Sequence, residues 1–278
     1  MRSVKSLAAA GAASLLSSVA FAADMPSIAA PPAYAPPQVE DFGGWYLRGD
    51  IGFNNQRVRR LNNVLDANNT SSVQNLGFNT AGIFGLGVGY RVNNWFRADV
   101  TGEYRGNSQF YGTDQITFPG GVGTDTYHAT KNEWVVLANA YVDLGTWWCL
   151  TPYIGAGIGG ARVNIIGFRD DGFNNVGGLS VSTAYAADAS KFNFAWALHA
   201  GITYKVTQSM SIDLGYRYLD MGNGMTGATR AFDNSFVNGG PFTFNHISSH
   251  DLKLGVRWML EPAPAPQPVS LPPLMRRG

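Results

Sequence analysis

The sequence predicts an all-β chain: an eight-stranded antiparallel up-and-down transmembrane β-barrel, with short turns at one end and four long loops at the other. Three observations lead there. Side chains alternate with a period of two between about residues 44 and 260, eight segments of about ten residues carry the alternation, and the connections between them run long, short, long, short, long, short, long. A strand sends successive side chains to opposite faces, and about ten residues cross a bilayer at a ~45° tilt. Tight turns on one side and long loops on the other are the pattern of an outer-membrane barrel.

Trp45–Phe53, Ile83–Val92, Trp134–Leu144 and Thr151–Val163 alternate more weakly, and four other segments set the standard. In Trp95–Arg105, Phe96, Ala98, Val100, Gly102 and Tyr104 share one face, and Arg97, Asp99, Thr101, Glu103 and Arg105 share the other. A helix would scatter those charges around its circumference. Phe192–Tyr204 sets Phe192, Phe194, Trp196 and Leu198 against Asn193, Ala195, Ala197 and His199. Met210–Asp220 sets Ile212, Leu214 and Tyr216 against Ser211, Asp213 and Arg217, and the closing strand sets Leu252, Leu254, Val256 and Trp258 against Asp251, Lys253 and Arg257. Short connections lie at Val92–Asn94, Gly145–Leu150 and Val206–Ser209; the long ones, 54–80, 106–131, 164–191 and 221–246, are rich in Gly, Asn, Ser and Thr.

Composition narrows the function. Glycine is 34 of 278 residues, against a typical ~7%, and charged residues are 14%, against a typical ~25%. Formal net charge is +1, which supplies no basic surplus for nucleic acid. A single cysteine, Cys149, excludes an intrachain disulfide and a cysteine-cluster zinc site. At the N-terminus, Arg2 and Lys5, the apolar run Leu7–Val19 and Ala20-Phe21-Ala22 have the anatomy of a secretory signal peptide, residues 1–22. The residue after that cut is Ala23, not the cysteine of a lipoprotein, and loss of Arg2 and Lys5 takes the formal charge from +1 to −1. Proline-rich spacers, 23–43 and 261–278, bracket a barrel at 44–260, and no run of 18 apolar residues follows the leader.

A soluble sandwich would alternate as well, so the two faces decide. One face is large and aromatic. The other carries Arg48, Arg91, Arg97, Arg217, Lys253 and Arg257 against Asp50, Asp99, Glu103, Asp143, Asp213 and Asp251. The interior of an eight-stranded barrel is just wide enough to be filled by side chains, and buried charges there must be paired. This equal set therefore predicts an ion-paired lumen behind a lipid-facing surface. Trp45, Trp95, Trp147, Trp148, Tyr204 and Trp258 near the short-turn end, and Trp134 and Tyr218 near the long-loop end, fall at the depths of two aromatic girdles.

Gly44-Trp45-Tyr46-Leu47-Arg48-Gly49 resembles the opening strand of the small outer-membrane β-barrel proteins of alphaproteobacteria, in the OmpA-like/opacity porin superfamily, and Ala23–Pro26 resembles the mature start of rhizobial members. The closing strand, with Lys253, Gly255, Trp258 and Leu260, resembles the barrel-assembly signal. The resemblance covers about residues 44–260 and implies a place in the cell outer membrane with both termini periplasmic. It further implies a role in envelope integrity, the porin label often given to such proteins, and as partners outer-membrane lipid, lipopolysaccharide and the barrel-assembly machinery. The tail after Leu260 is too short for the peptidoglycan-binding domain of the OmpA pattern.

Several strings mimic chemistry. Gly155-x-Gly157-x-x-Gly160 fits a dinucleotide fingerprint but lacks the following helix, so small residues in a crowded lumen account for it, as for Gly85, Gly87 and Gly89. Arg48-Gly49-Asp50 spells an adhesion tripeptide in mid-strand, where it cannot be presented. His246-Ile247-Ser248 lacks an acid to orient the base, His128 falls in a loop, and His199 faces the lumen. Asp170-Asp171 reads as a solvated loop pair and Cys149 as a small apolar residue. The expectation is a protein without catalytic residues, cofactor, metal or nucleic-acid partner, with envelope and surface-recognition roles and a loop ligand of unknown identity. A small passive channel is the alternative, and an adhesin in contact with a host is a third reading.

Overall fold

A computed structural model of the chain describes residues 43–63, 71–118, 120–175, 177–235 and 240–260. The expected leader, all but Gly43 of the N-terminal spacer, and the C-terminal tail lie outside the described residues.

The strands are β1 (Gly44–Asn62), β2 (Ser71–Phe78), β3 (Ala81–Arg91), β4 (Phe96–Phe118), β5 (Gly121–Asp143), β6 (Leu150–Asn174), β7 (Ser180–Ala186), β8 (Ala189–Lys205), β9 (Met210–Asp220), β10 (Gly224–Met225), β11 (Thr229–Ala231) and β12 (Thr243–Met259). Antiparallel pairing runs β1, β3, β4, β5, β6, β8, β9, β12 and back to β1, an eight-membered ring. First and last strands meet in one long register, Tyr46↔Met259 to Asn62↔Thr243, which closes the eight-membered ring on itself. The all-β class and the eight-stranded up-and-down order are as the periodicity predicts.

Three short turns close one end. Asn93 Oδ1 accepts from the amides of Trp95 and Phe96, at 3.0 and 2.7 Å, which fixes the first. The second is a two-residue turn between Trp147 and Leu150, whose amides and carbonyls bond reciprocally at 2.8 and 2.9 Å. Its central residues, Trp148 and Cys149, sit at φ 50° and 68°, the left-handed region glycine and asparagine usually fill. In the third, Thr207 Oγ1 accepts from Ser209 and Met210.

The long connections differ from expectation. Most of the first three is strand: β1 runs to Asn62, β4 and β5 stay paired out to Phe118↔Gly121, β6 runs to Asn174 and pairs with β7, and β2 pairs with β4; the fourth carries only the short β10 and β11 and the start of β12 among the described residues. The alternation was hidden because its phase slips. On β4 the inward residues are odd from Arg97 to Arg105 and even from Ser108 to Ile116, with the register shift between Arg105 and Ser108. On β6 they are odd to Ile165 and even from Phe168, across Gly167 at φ 60°. On β1 they pass from Val58 to Leu61, opposite His246 at φ 56°. An extra residue in one strand re-aims every side chain beyond it, so a strict period of two reads such a stretch as irregular.

The interior is not lined by charge on every strand. β9, β12, β1 and β4 supply most of the buried polar groups, joined by Lys131, Glu133 and Asn139 of β5 and Thr203 of β8, whereas Val135 and Leu137 of β5, Ala161, Val163 and Ile165 of β6, and Ala195 and Ala197 of β8 are apolar. Above them six rings, Phe78, Phe110, Tyr127, Phe168, Phe242 and Phe244, pack with centroids 4.5 to 6.4 Å apart. This aromatic layer keeps the strands together beyond the lipid belt, because each ring on the inner face finds apolar neighbours there. Outward, Trp45, Leu47, Ile51 and Phe53 on β1 and Leu252, Leu254, Val256 and Trp258 on β12 are all exposed, as an apolar outer face requires.

Candidate functional site

The buried charges of the interior form one chain. Arg48 binds Asp99 at 2.8 Å and Asp50 at 2.9 Å; Lys253 joins Asp50 (3.4 Å) to Glu103; Arg217 joins Glu103 (2.6 Å) to Asp251 (2.7 Å); Arg105 joins Asp251 (2.8 Å) to Glu133 (2.9 Å); and Lys131 closes on Glu133. Five cations and five carboxylates alternate in sign from Asp99 to Lys131. Neutral groups fill the remaining valences: Asn139 and Tyr46 donate to Asp99, Gln56 donates to Glu133, and Ser249 donates to Asp251. Lys131 Nζ lies 4.5 Å from the centre of the Phe78 ring, so the chain ends against the aromatic layer.

Of the twelve charges expected in the lumen, seven belong to this chain: Arg48, Asp50, Asp99, Glu103, Arg217, Asp251 and Lys253. Four pair nearer the short turns, Arg97 with Asp143 at 3.2 Å and Arg257 with Asp213 at 3.4 Å. Arg91, at the mouth, donates to Asn93 O and Asn94 Oδ1 of its own turn. Arg105, Lys131 and Glu133 complete the chain; Arg105 ends the predicted strand Trp95–Arg105, and Lys131 and Glu133 precede the predicted strand Trp134–Leu144. The signal for Arg105 was its place on the charged face of β4; Lys131 and Glu133 hold the same odd phase as Val135 and Leu137 on β5.

Crowding explains the inward glycines. A Cβ on Gly89 would enter the Tyr46 ring, one on Gly155 would lie 2.5 Å from Tyr141, and one on Gly157 would strike Asn139. Gly255, within the assembly-signal pattern, faces Asp50, and a Cβ there would strike the carboxylate. Lys253 of the same pattern is in the charge chain, while Trp258 and Leu260 are exposed. The girdle residues Trp45, Trp95, Trp134, Trp147, Trp148 and Tyr204 are exposed too, and Tyr218 packs between Trp196 and His250, centroids 5.4 Å away in each case.

The decoys resolve. Arg48 and Asp50 are buried and bound to each other, His199 Nε2 meets Asn139 Oδ1 at 3.1 Å, and His128 is exposed on β5. His246 Nδ1 lies 3.3 Å from Asp220 Oδ2, an acid the sequence reading did not connect to it. Cys149 is exposed rather than packed. Among the described residues no three His, Cys, Asp or Glu side chains are grouped to hold a metal ion.

Asp170-Asp171 is not simply a solvated pair. Asp171 turns outward to Arg169 at 2.8 Å, whereas Asp170 faces in, diagonal to Asp125, which stands directly across from Asp114. Burial, then the carboxylates of Asp125, Asp171 and Asp114, push the Asp170 carboxyl up to about 7. Its Oδ1 is buried without a hydrogen-bond partner among the described residues.

A ring of eight antiparallel strands with an apolar outer face and a charged interior defines a membrane-spanning β-barrel. Residues 10–259 match the outer membrane protein beta-barrel domain, and the chain belongs to that family. It is an outer-membrane protein and sits in the lipid of that membrane. A similar chain is an uncharacterized protein of Brucella abortus (strain 2308), 30% identical over 281 residues, which span 88% of this chain and 94% of the relative. Outer membrane protein PagN of Salmonella typhimurium is 30% identical over 190 residues, 64% of this chain and 75% of PagN. A Rickettsia felis protein provisionally named an adhesin is 26% identical over 262 residues, 93% of this chain and 99% of that one.

Proposed function

We propose that the protein is a non-enzymatic surface protein whose barrel is a sealed anchor, contributing to the integrity of the envelope, and whose outer extension makes contact outside the cell. In this reading the short turns and both termini are periplasmic, the barrel-assembly machinery inserts the chain, and lipopolysaccharide surrounds its outer half. One observation carries the contact role. In the outer extension, which in this reading stands clear of the lipid, Val73, Tyr111, Phe173 and Val181 on strands and Leu179 and Phe232 beside them in the chain's connections are exposed, Val181 and Phe232 each at 82%. Phe173 and Val181 stand opposite each other on β6 and β7, and apolar surface without lipid to cover it marks an interaction site. The relatives named as an adhesin and as PagN agree with a surface role.

The sealing rests on the charge chain and the aromatic layer, which leave a void of only about 10 Å³ beside Arg48, Tyr141, His199 and Arg217, room for about one water. A passive channel is the second reading, favoured by a larger cavity of about 440 Å³ at the short-turn end. Its lining includes neither Arg48 nor Asp99 of the charge chain.

The test is display of the protein on a non-adherent bacterial host and measurement of attachment to cultured epithelial cells. Attachment that rises with the wild type and falls with Val181→Ser and Phe232→Ser, while the unheated barrel keeps its fast gel migration, is the expected result. Attachment indifferent to both substitutions removes the contact role. Large steady currents in planar bilayers remove the sealed anchor.

A further inference from the structure

The short-turn end of the lumen holds two guanidinium groups whose hydrogen-bonding capacity the protein does not use. Arg97 is 1% exposed and lies between two rings, its Cζ 4.3 Å from the centre of Tyr141 and 4.6 Å from that of Tyr153. Nε donates to Asp143 at 3.2 Å, and Nη2 is buried with no partner among the described residues. Arg257, 8% exposed, makes only long bonds through Nη2, 3.3 Å to Thr203 Oγ1 and 3.4 Å to Asp213 Oδ1, and its Nη1 is likewise buried without a partner among the described residues. A buried donor left unsatisfied is costly, and more so on a charged group. Two in one place need a reason.

Both side chains line the cavity of about 440 Å³, which opens between the short turns. Its walls carry Arg91, Arg97, Lys205 and Arg257 against one carboxylate, Asp143, and Asp213 stands behind Arg257. Thr146, Thr151 and Gln208 add neutral polar groups at the rim. Arg97 and Arg257 also repel each other, which a ligand of opposite sign between them would relieve. Guanidinium forks match tetrahedral oxyanions, since each offers parallel N–H donors to neighbouring oxygens.

We propose that this vestibule binds a phosphate group, held by the guanidinium groups of Arg97 and Arg257 that line it, with Lys205 attracting it at the mouth. The side of the membrane from which it is filled follows from the orientation proposed above; the site itself does not depend on it. The phosphate is that of a soluble ion or monoester, or of a lipid headgroup at the membrane surface.

The test is calorimetric titration of the full chain, refolded in maltoside micelles, with inorganic phosphate. Saturable 1:1 binding is expected, weakened at least tenfold in Arg257→Gln and less in Arg257→Lys, which keeps the charge but loses the fork. Arg97→Gln should match Arg257→Gln. Should loss of the ring stacking prevent Arg97→Gln from folding, Arg257→Gln decides alone, because Arg257 makes two long bonds and lies over one ring, Tyr46 at 5.4 Å, rather than between two. Phosphatidic acid added to the micelles that displaces bound phosphate assigns the site to a headgroup, and failure to displace assigns it to a soluble phosphate. Wild-type heats that do not saturate, or binding unchanged in Arg257→Gln, overturn the proposal.

Discussion

Arg217 joins two buried carboxylates through four hydrogen bonds, and its replacement by methionine tests whether the ion-pair chain holds the barrel. The side chain is 1% exposed. Its Nη1 and Nη2 donate to the two oxygens of Glu103 at 2.9 and 2.6 Å, and Nε and Nη2 donate to Asp251 Oδ2 at 2.9 and 2.7 Å. Arg217→Met preserves much of the volume and removes all four bonds. Glu103 keeps Lys253 and Asp251 keeps Arg105, but a neutral row becomes one with an uncompensated negative charge in a dry interior. Removing one partner of a buried pair costs about 3–5 kcal/mol. Glu103→Gln should cost a similar amount, and the double variant should cost less than the sum by about 2 kcal/mol, because it restores neutrality. Urea titration in micelles, followed by tryptophan fluorescence and by the fraction of fast-migrating unheated protein, measures all three. A change within ~0.5 kcal/mol for Arg217→Met, or strict additivity, refutes the reasoning.

Three further outcomes are expected. Asp170, raised to about 7 in the fold from an ordinary value near 3.8, binds a proton more tightly folded than unfolded, so its contribution is fully present below about pH 3.8 and is lost as pH rises through 7. The limit is about 4 kcal/mol, and about half after solvent screening at the rim; amide exchange in β6 and β7 should quicken between pH 5 and 8, and Asp170→Asn should flatten that slope. Cys149, exposed at the tip of the second short turn, should resist an impermeant maleimide on intact cells and react once the outer membrane is opened; labelling of intact cells reverses the proposed orientation. In planar bilayers the wild type should be nearly silent, and Asp213→Ala with Arg217→Ala should open measurable events; silence in both means that the aromatic layer alone closes the lumen.

The sequence exposes most of the membrane-spanning barrel and little of what stands above it. On β4, β9 and β12, alternation between aromatic and charged side chains is uninterrupted across the bilayer, so strand, face and lumen charges can all be read. Beyond Arg105, Ile165 and Val58 the phase slips, and inward positions are filled by Phe, Tyr and Ala among polar neighbours, so the outer strands resemble loops. Glu133 and Lys131 escaped notice because a charge on a polar stretch looks solvated until its partners, Arg105 and Gln56, arrive from β4 and β1. Asp170 escaped for the opposite reason: its neighbours Asp114 and Asp125 come from two other strands, and nothing local distinguishes it from Asp171. The turn at Trp148-Cys149 carries none of the usual turn residues; its strained backbone is set by the strands it joins.

A row of charges alternating in sign behaves like one dimension of an ionic crystal. An ion inside the row is held by neighbours on both sides, and an ion at its end by one. Asp99 and Lys131 are those ends, each partly held by neutral groups, Tyr46 and Asn139 for the first and Gln56 for the second. Tolerance to substitution should therefore be graded along the row, highest at Asp99 and Lys131 and lowest at Glu103, Arg217 and Asp251. Chemically identical residues would then differ in importance by rank in a lattice rather than by depth of burial, since nearly all of them are equally removed from water.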